Sequence, residues 1–281
     1  MQTTIIDVAS DPRLDPFRSL KGKTDRHDNT FVGESEIVLE RLFASEIVIR
    51  AVLITPARAA RLETFLESRL ASHPSAGVTV FVAEQRLIDE VVGYPLHRGV
   101  ITLAERPALP SVTSLLATAR TVVVLEGVMD PDNVGSVFRH AAGFGVDAIV
   151  LRGHTGDPLY RKTIRTSMGW SLNIPFARSA PEDGSITEQL SAAGFLSLAL
   201  TPARDAELLS DVLARTNPNT RIAYLLGAEG PGLSDEILRG SVHRVRIPLA
   251  DGVDSLNIAT SAGIALYALA ERQPTRLRPR T

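Results

Sequence analysis

The chain has 281 residues, of which 44% are hydrophobic and 22% charged, with a formal net charge of −2 and no cysteine. Those values sit near the average for a globular protein and leave room for one large domain or two ordinary ones. The missing cysteine excludes disulfides, thiolate metal sites and a cysteine nucleophile, and without a run of about 18 apolar residues no membrane span is expected. The first residues, MQTTIIDVASDPRLDPF, lack a basic stretch followed by an apolar one, so a cytoplasmic protein is expected. A near-neutral total neither requires nor excludes nucleic acid, because cations can gather in one patch. Two basic clusters occur, one over Arg18 to Arg26 and one over Arg276 to Arg280.

From Phe31 to about Arg106 helical and strand patterns alternate. ESEIVLERLFA has apolar residues at helical spacing, and IVIRAVLIT is a β-branched strand. ARAARLETFLESRL is helical, GVTVFVA a strand, QRLIDEVVG a short helix and RGVITLAE a last strand. RPALPSVTS follows, with two prolines and small polar residues that mark a domain edge. The expected organisation is a small α/β domain over 1–106 with an extended N-terminus, a linker over 107–119 and a second α/β domain over 120–281. Beyond the linker TVVVLEG, DAIVLRG, FLSLALT, RIAYLLG and VHRVRIPL are near-continuous apolar runs. They suit parallel strands covered by helices on both faces. SLNIATSAGIALYALAER closes the chain as a long helix with one apolar stripe.

Ligands of an open α/β sheet bind outside the carboxyl ends of its strands, and three unusual stretches fall there. DPDNVGSVFRHAAGFG follows TVVVLEGV. Asp132 or Asn133 suits a helix N-cap, Gly143 and Gly145 end the helix, and Arg139 stands alone among small residues. LLGAEGPGLS follows RIAY; Gly227, Gly230 and Gly232 bare the backbone, while Glu229 would repel a phosphate and favour an adenosine or a ribose hydroxyl. The loop lacks GxGxxG and a Walker lysine, which counts against a nicotinamide oxidoreductase. IPLADGVDSLNIAT follows VHRVR, with Asp254 or Ser255 as the expected cap and Asn257 in the first helical turn. The six histidines are scattered, and no metal site is expected.

Taken together and in this order, the three stretches resemble the three motifs of the SpoU (TrmH-like) RNA ribose methyltransferases of the SPOUT superfamily. Asn133, Gly135 and Arg139 match the first motif, and Gly227, Glu229, Gly230, Gly232 and Leu233 the second. Ile247, Pro248, Ser255, Leu256, Asn257 and Ala259 match the third, with Ile258 a mild departure. The resemblance covers roughly residues 120 to 272. More loosely, the N-terminal part resembles the small RNA-binding domain that often precedes this catalytic domain.

The resemblance implies a knotted parallel-sheet domain, S-adenosylmethionine as cofactor, a homodimer, and methylation of a ribose 2′-hydroxyl in structured RNA, either rRNA or tRNA. A non-catalytic RNA-binding protein that kept the fold is the alternative. The implied catalytic set is Arg139, Asn133, Glu229, Ser255 and Asn257. Arg139 either loses a proton in an unusual site or stays charged and stabilises a developing alkoxide. Cofactor contacts are implied at Leu200, Thr201, Leu226, Gly227, Ala228, Glu229, Gly230, Ile247, Pro248, Leu249, Leu256 and Ala259. A basic segment, YRKTIRTSMGW, offers Arg161, Lys162, Arg165 and Ser167 to the RNA backbone. Because all three motifs lie beyond the linker, residues 107–281 are expected to bind cofactor alone.

Overall fold

The computed structural model describes residues 2–18, 20, 29–70 and 78–272; most of the Arg18–Arg26 cluster and all of Arg276–Arg280 lie outside them. In chain order β1 is Gln2–Ile5, β2 Thr30–Glu34, α1 Glu36–Phe43, β3 Ile49–Ile54, α2 Pro56–Leu70, β4 Thr79–Val82, α3 Gln85–Val92 and β5 Val100–Glu105. Then come α4 Val112–Thr118, β6 Thr121–Glu126, α5 Pro131–Gly143, β7 Ala148–Arg152, α6 Arg161–Thr166, β8 Phe176–Ser179 and α7 Ile186–Ala192. The last are β9 Phe195–Leu200, β10 Glu207–Leu208, α8 Leu209–Arg215, β11 Arg221–Gly227, α9 Asp235–Gly240, β12 His243–Arg246 and α10 Ile258–Arg272.

The chain divides into two compact units. One comprises residues 1–108 together with 158–173, the other residues 109–157 and 174–281. The first holds a five-stranded mixed sheet in the order β1-β4-β3-β5-β2. Its parallel members pair β1 with β4 and β4 with β3, while β5 runs antiparallel to β3 and β2. Two pieces of this sheet escape a reading by pattern. TFVGE, just ahead of the expected helix, forms β2, and the first residues add β1 to the edge. A 3-10 turn over Pro12–Phe17 then buries Leu14 and Phe17 completely. Ile6, Leu14, Phe17 and Leu20 of the N-terminal extension are therefore part of this core.

The second unit is a seven-stranded, all-parallel sheet in the order β10-β12-β9-β11-β6-β7-β8. The central strands read TVVVLE, AIVLR and RIAYLLG, and their middle residues are fully buried, as a sheet covered on both faces requires. Short β8 and β10 carry no such apolar run, so pattern alone misses them. The chain runs outward from β6 through β7 to β8, then returns to the far side of β11. The order reverses between β6 and β11, the crevice where α/β sheets place their ligands.

Residues 158–173 leave the parallel sheet after β7 and return at β8, yet they pack in the first unit. There α6 lies on β2. Arg161 pairs with Glu34 and lies 4.5 Å from the centre of the Tyr94 ring. Tyr94 donates to the same carboxylate at 2.6 Å. Burial first, and then that hydrogen bond, push the Tyr94 phenol well above its ordinary pKa. Arg41 stacks on Trp170 at 3.5 Å, and Gly169, at φ +78°, lets the chain pass against the Arg41 side chain.

This packing changes the expectation for residues 107–281. That fragment keeps Arg161, Ile164 and Trp170 but loses the surface that covers them, and exposing Ile164 alone costs roughly 1.5–3 kcal/mol. We expect the fragment to bind an apolar dye and to melt with a lower and broader transition than the full chain. A sharp melt with no dye binding would show that residues 158–173 do not need residues 1–108.

Candidate active site

The loops that matter start level with one another. Gly227 lies opposite Glu126, and Glu126 opposite Arg152, so the chain leaves β11, β6 and β7 at one rim of the second unit. After β11 it folds back on itself: Gly232 N donates to Ala228 O at 3.0 Å. At Gly227 a Cβ would sit 2.1 Å from the Gly232 carbonyl carbon, so only glycine fits. Gly230 and Gly232 hold φ of +96° and +72°, and a Cβ at either would point into open space. The loop thus presents bare backbone. Glu126 fixes its far end, accepting from Ser234 N at 2.7 Å and Ser234 Oγ at 2.9 Å. Arg152 in turn contacts Glu126 at 3.5 Å and Glu236 at 2.9 Å.

Three side chains from three loops meet at this rim. Asn133 Nδ2 donates to Glu229 Oε1 at 3.0 Å. Asn257 Nδ2 donates to the same oxygen at 2.9 Å and to Asn133 Oδ1 at 2.8 Å. The orientation of Asn257 follows from local structure. It is the N-cap of α10, its Oδ1 accepting from Ala259 N at 2.9 Å and Thr260 N at 3.3 Å. Free helix amides only donate, so the oxygen turns to them and the NH2 must face Glu229.

The expected caps therefore move. Asn257, rather than Asp254 or Ser255, opens α10. In α5 the cap is Asp130, whose carboxylate accepts from Asp132 N at 2.9 Å, and neither Asp132 nor Asn133 takes that place. Pro131 decides it: proline has no N–H to satisfy and suits the first helical position, so the cap stands just before it. Asn133 falls in the first turn with 7% exposure and points at the neighbouring loop. Gly145, at φ +67°, follows the helix end as expected.

Beside this cluster lies the pocket formed at the ends of β9, β11 and β12. Ten of the residues expected to contact a cofactor line it: Leu200, Thr201, Leu226, Gly227, Ala228, Glu229, Gly230, Ile247, Leu249 and Leu256. Ser255 lines it too. Pro248 and Ala259 do not; Pro248 is exposed, and the buried Ala259 presents its amide to Asn257. Gly232, read in the sequence as bare backbone of this loop, lines it as well, whereas sequence reasoning missed Pro202, Val245, Ile258 and Ser261. Ile258 and Ser261 are one turn apart and share a helix face, a signal readable once α10 is started at the correct residue. Among the described residues the lining holds one carboxylate and no cation.

Arg139 stands apart from the cluster. Six helical residues carry it roughly 9 Å along α5 from Asn133 and about 120° around the axis. It is exposed and makes no ion pair with any described residue. The proposed RNA contacts separate by environment within the first unit. Arg161 is committed to Glu34, and Ser167 is fully buried with its hydroxyl on Ile164 O. Arg165 is exposed and Lys162 half-buried. Among the described residues no cluster of three or more histidines and carboxylates could hold a metal ion, and no helix is long and apolar enough to cross a membrane.

The profile of the SpoU rRNA methylase family matches residues 120–267. The chain belongs to that family. It is 42% identical over 262 residues to an uncharacterized tRNA/rRNA methyltransferase of Mycobacterium bovis, an alignment covering 92% of this chain and 88% of the relative. It is 26% identical over 272 residues to the 23S rRNA (guanosine(2553)-2′-O)-methyltransferase of Bacillus subtilis, covering 94% and 98% of the two chains. The fold matches an AdoMet-bound rRNA methyltransferase from Sinorhizobium meliloti with a TM-score of 0.79 at 24% identity, covering 96% of this chain and 98% of that one. SpoU members carry the α/β architecture seen here, and the three motifs of this one converge on the Asn133–Glu229–Asn257 cluster.

The two duties of Asn257 can be separated. Asn257→Asp keeps a good cap but replaces the donor that faces Glu229 with a second carboxylate oxygen. We expect a melting temperature within a few degrees of wild type and methyl transfer reduced about 10²–10³-fold, the usual cost of one lost donor in a reaction site. Thermal denaturation beside single-turnover transfer measures both. Equal loss of stability and activity would mean that Asn257 matters only as a cap.

Proposed function

We infer that the protein transfers a methyl group from S-adenosylmethionine to a ribose 2′-hydroxyl of structured RNA. The observation that carries this reading is the pocket beside the cluster. Its only charge is a carboxylate, so a phosphorylated cofactor meets no cation there, whereas a neutral adenosine bearing a positive sulfonium meets apolar walls, open backbone and Glu229. The residues fit that cofactor: Leu226, Leu249, Leu256 and Ile258 supply apolar surface, and the 227–232 backbone supplies donors and acceptors. Bound there, S-adenosylmethionine supplies an electrophilic methyl group. The family, and the similarity to the B. subtilis 23S rRNA 2′-O-methyltransferase, favour rRNA as the substrate class.

A hydroxyl attacks only as its proton leaves. Glu229, already accepting from two amides, is held in place to accept a further hydrogen bond or to orient the ribose, and buried Asn133 fixes its position. Arg139 is the one cationic side chain of the implied catalytic set. Its role in this reading is to stabilise the negative charge that grows on the 2′-oxygen. The chain after β12 is proposed to pass through the loop before it, as in a trefoil knot, which explains why α10 returns to pack on α5. We further propose a homodimer. Ile264 and Tyr267 leave apolar surface exposed on α10, and Phe144 of α5 packs edge-on against Tyr267 at 6.3 Å. Arg165 on α6 is the proposed contact to RNA phosphate.

Four measurements test the reading. Calorimetry in chelator is expected to show S-adenosylmethionine binding, and a requirement for a divalent ion would contradict it. Mapping 2′-O-methylation across total RNA, with and without the protein, is expected to reveal one lost methyl group. Light scattering of the full chain is expected to give twice the monomer mass. Arg139→Ala is expected to lower single-turnover methylation at least 10²–10³-fold with cofactor affinity unchanged. Arg139→Lys is expected to rescue poorly, because the planar fork is lost. Near-normal turnover in Arg139→Ala would remove that side chain from the mechanism.

A further inference from the structure

Met129 is 70% exposed, the most exposed large apolar side chain among the described residues of the second unit. Its position makes that unexpected. It immediately precedes Asp130, the N-cap of α5, where an apolar residue ordinarily folds over the fourth helical residue as a hydrophobic staple. That fourth residue is Val134, which is fully buried. Gly156 takes the place beside it: a Cβ there would come within 3.5 Å of the Val134 side chain and 2.9 Å of Met129 O. The default partner of Met129 is therefore already covered, and its side chain is left in solvent.

The loop holding it is braced at several points. Gly127 N donates to Arg152 O at 3.1 Å, Gly156 N to Val128 O at 2.8 Å, and Thr155 Oγ1 to Leu125 O at 3.0 Å. The exposure belongs to a fixed loop, four residues before Asn133, and a Cβ at Gly127 of the same loop would come within 3.6 Å of Ala228, the residue next to Glu229.

We propose that Met129 packs against the face of the target nucleobase and so positions its ribose; this deepens the functional reading above and rests on it. A 2′-oxygen brought to the cluster carries its base with it, and the exposed apolar side chain on the adjoining braced loop is the surface that base meets. RNA-modifying sites reach nucleotides whose bases are unstacked, and an unstacked base needs a new partner for its face. A thioether on a flexible stem is polarizable and adapts to purine or pyrimidine alike. Met129 thus holds the base in place, while base identity is read elsewhere.

The test uses an oligonucleotide spanning the mapped target and a second one lacking only the target base. Met129→Ala is expected to raise KM for the intact RNA about tenfold, or about 1.4 kcal/mol, with kcat, cofactor affinity, melting temperature and oligomeric state unchanged. Met129→Leu, apolar and of similar volume, is expected to restore KM. On the RNA lacking the base, wild type and Met129→Ala are expected to be equal. An unchanged KM, a tenfold loss that persists without the base, or a change in oligomeric state would each overturn the proposal; the last would assign Met129 to a protein interface. If the wild-type protein methylates no RNA, the functional reading fails and this proposal with it.

Discussion

The Asn257 amide is where helix, loop and chemistry depend on one another. Its oxygen closes the open end of α10, and its nitrogen then has no choice but to face Glu229 and Asn133. A carboxylate that receives two amide donors cannot wander, even at an exposed position. The geometry of the cluster is thus inherited from a helix start, the most local of structural decisions. That explains why the third stretch of sequence places an asparagine, rather than the equally good capping residues Asp or Ser, at this position.

Charge does the sorting around this point. Among the described residues lining the pocket Glu229 is the sole charged one, while Arg152 lies between Glu126 and Glu236 and Arg244 pairs with Asp205. Arg139 on α5 makes no ion pair with any described residue. Glycine does the shaping. At Gly227 the backbone crosses within reach of Gly232 and Leu233, a contact that any Cβ would forbid.

Much of this was legible in the residues. The apolar runs of β6, β7, β9 and β11 announced a parallel sheet, and the three motif stretches fell at strand ends, two of them joining in the hydrogen-bonded cluster with the third. What escaped has physical causes. Short β8 and β10 carry too few apolar residues to make a pattern. β1 and the turn that buries Leu14 and Phe17 are stabilised by partners far along the chain. Helix starts slipped by two or three residues because several Asp, Asn and Ser could cap, and only Pro131 and the free amides of α10 select among them. The segment 158–173 read as a basic RNA grip because sequence shows charge without showing partners; in the fold Arg161 is spent on Glu34, and Ser167 is buried.

That same segment constrains how the protein can be recombined. The first unit is not a cassette joined to the parallel sheet by a single tether, for the chain passes between the two units at 108/109, 157/158 and 173/174. A hybrid that grafts a foreign N-terminal domain at the proline-rich linker would set Arg161 and Trp170 against a surface lacking Glu34, Tyr94 and Arg41. Replacing the first unit by that of another family member therefore needs two grafts made together, residues 1–108 and residues 158–173. Over evolution the two stretches should change in step, although about 50 residues of catalytic sheet lie between them.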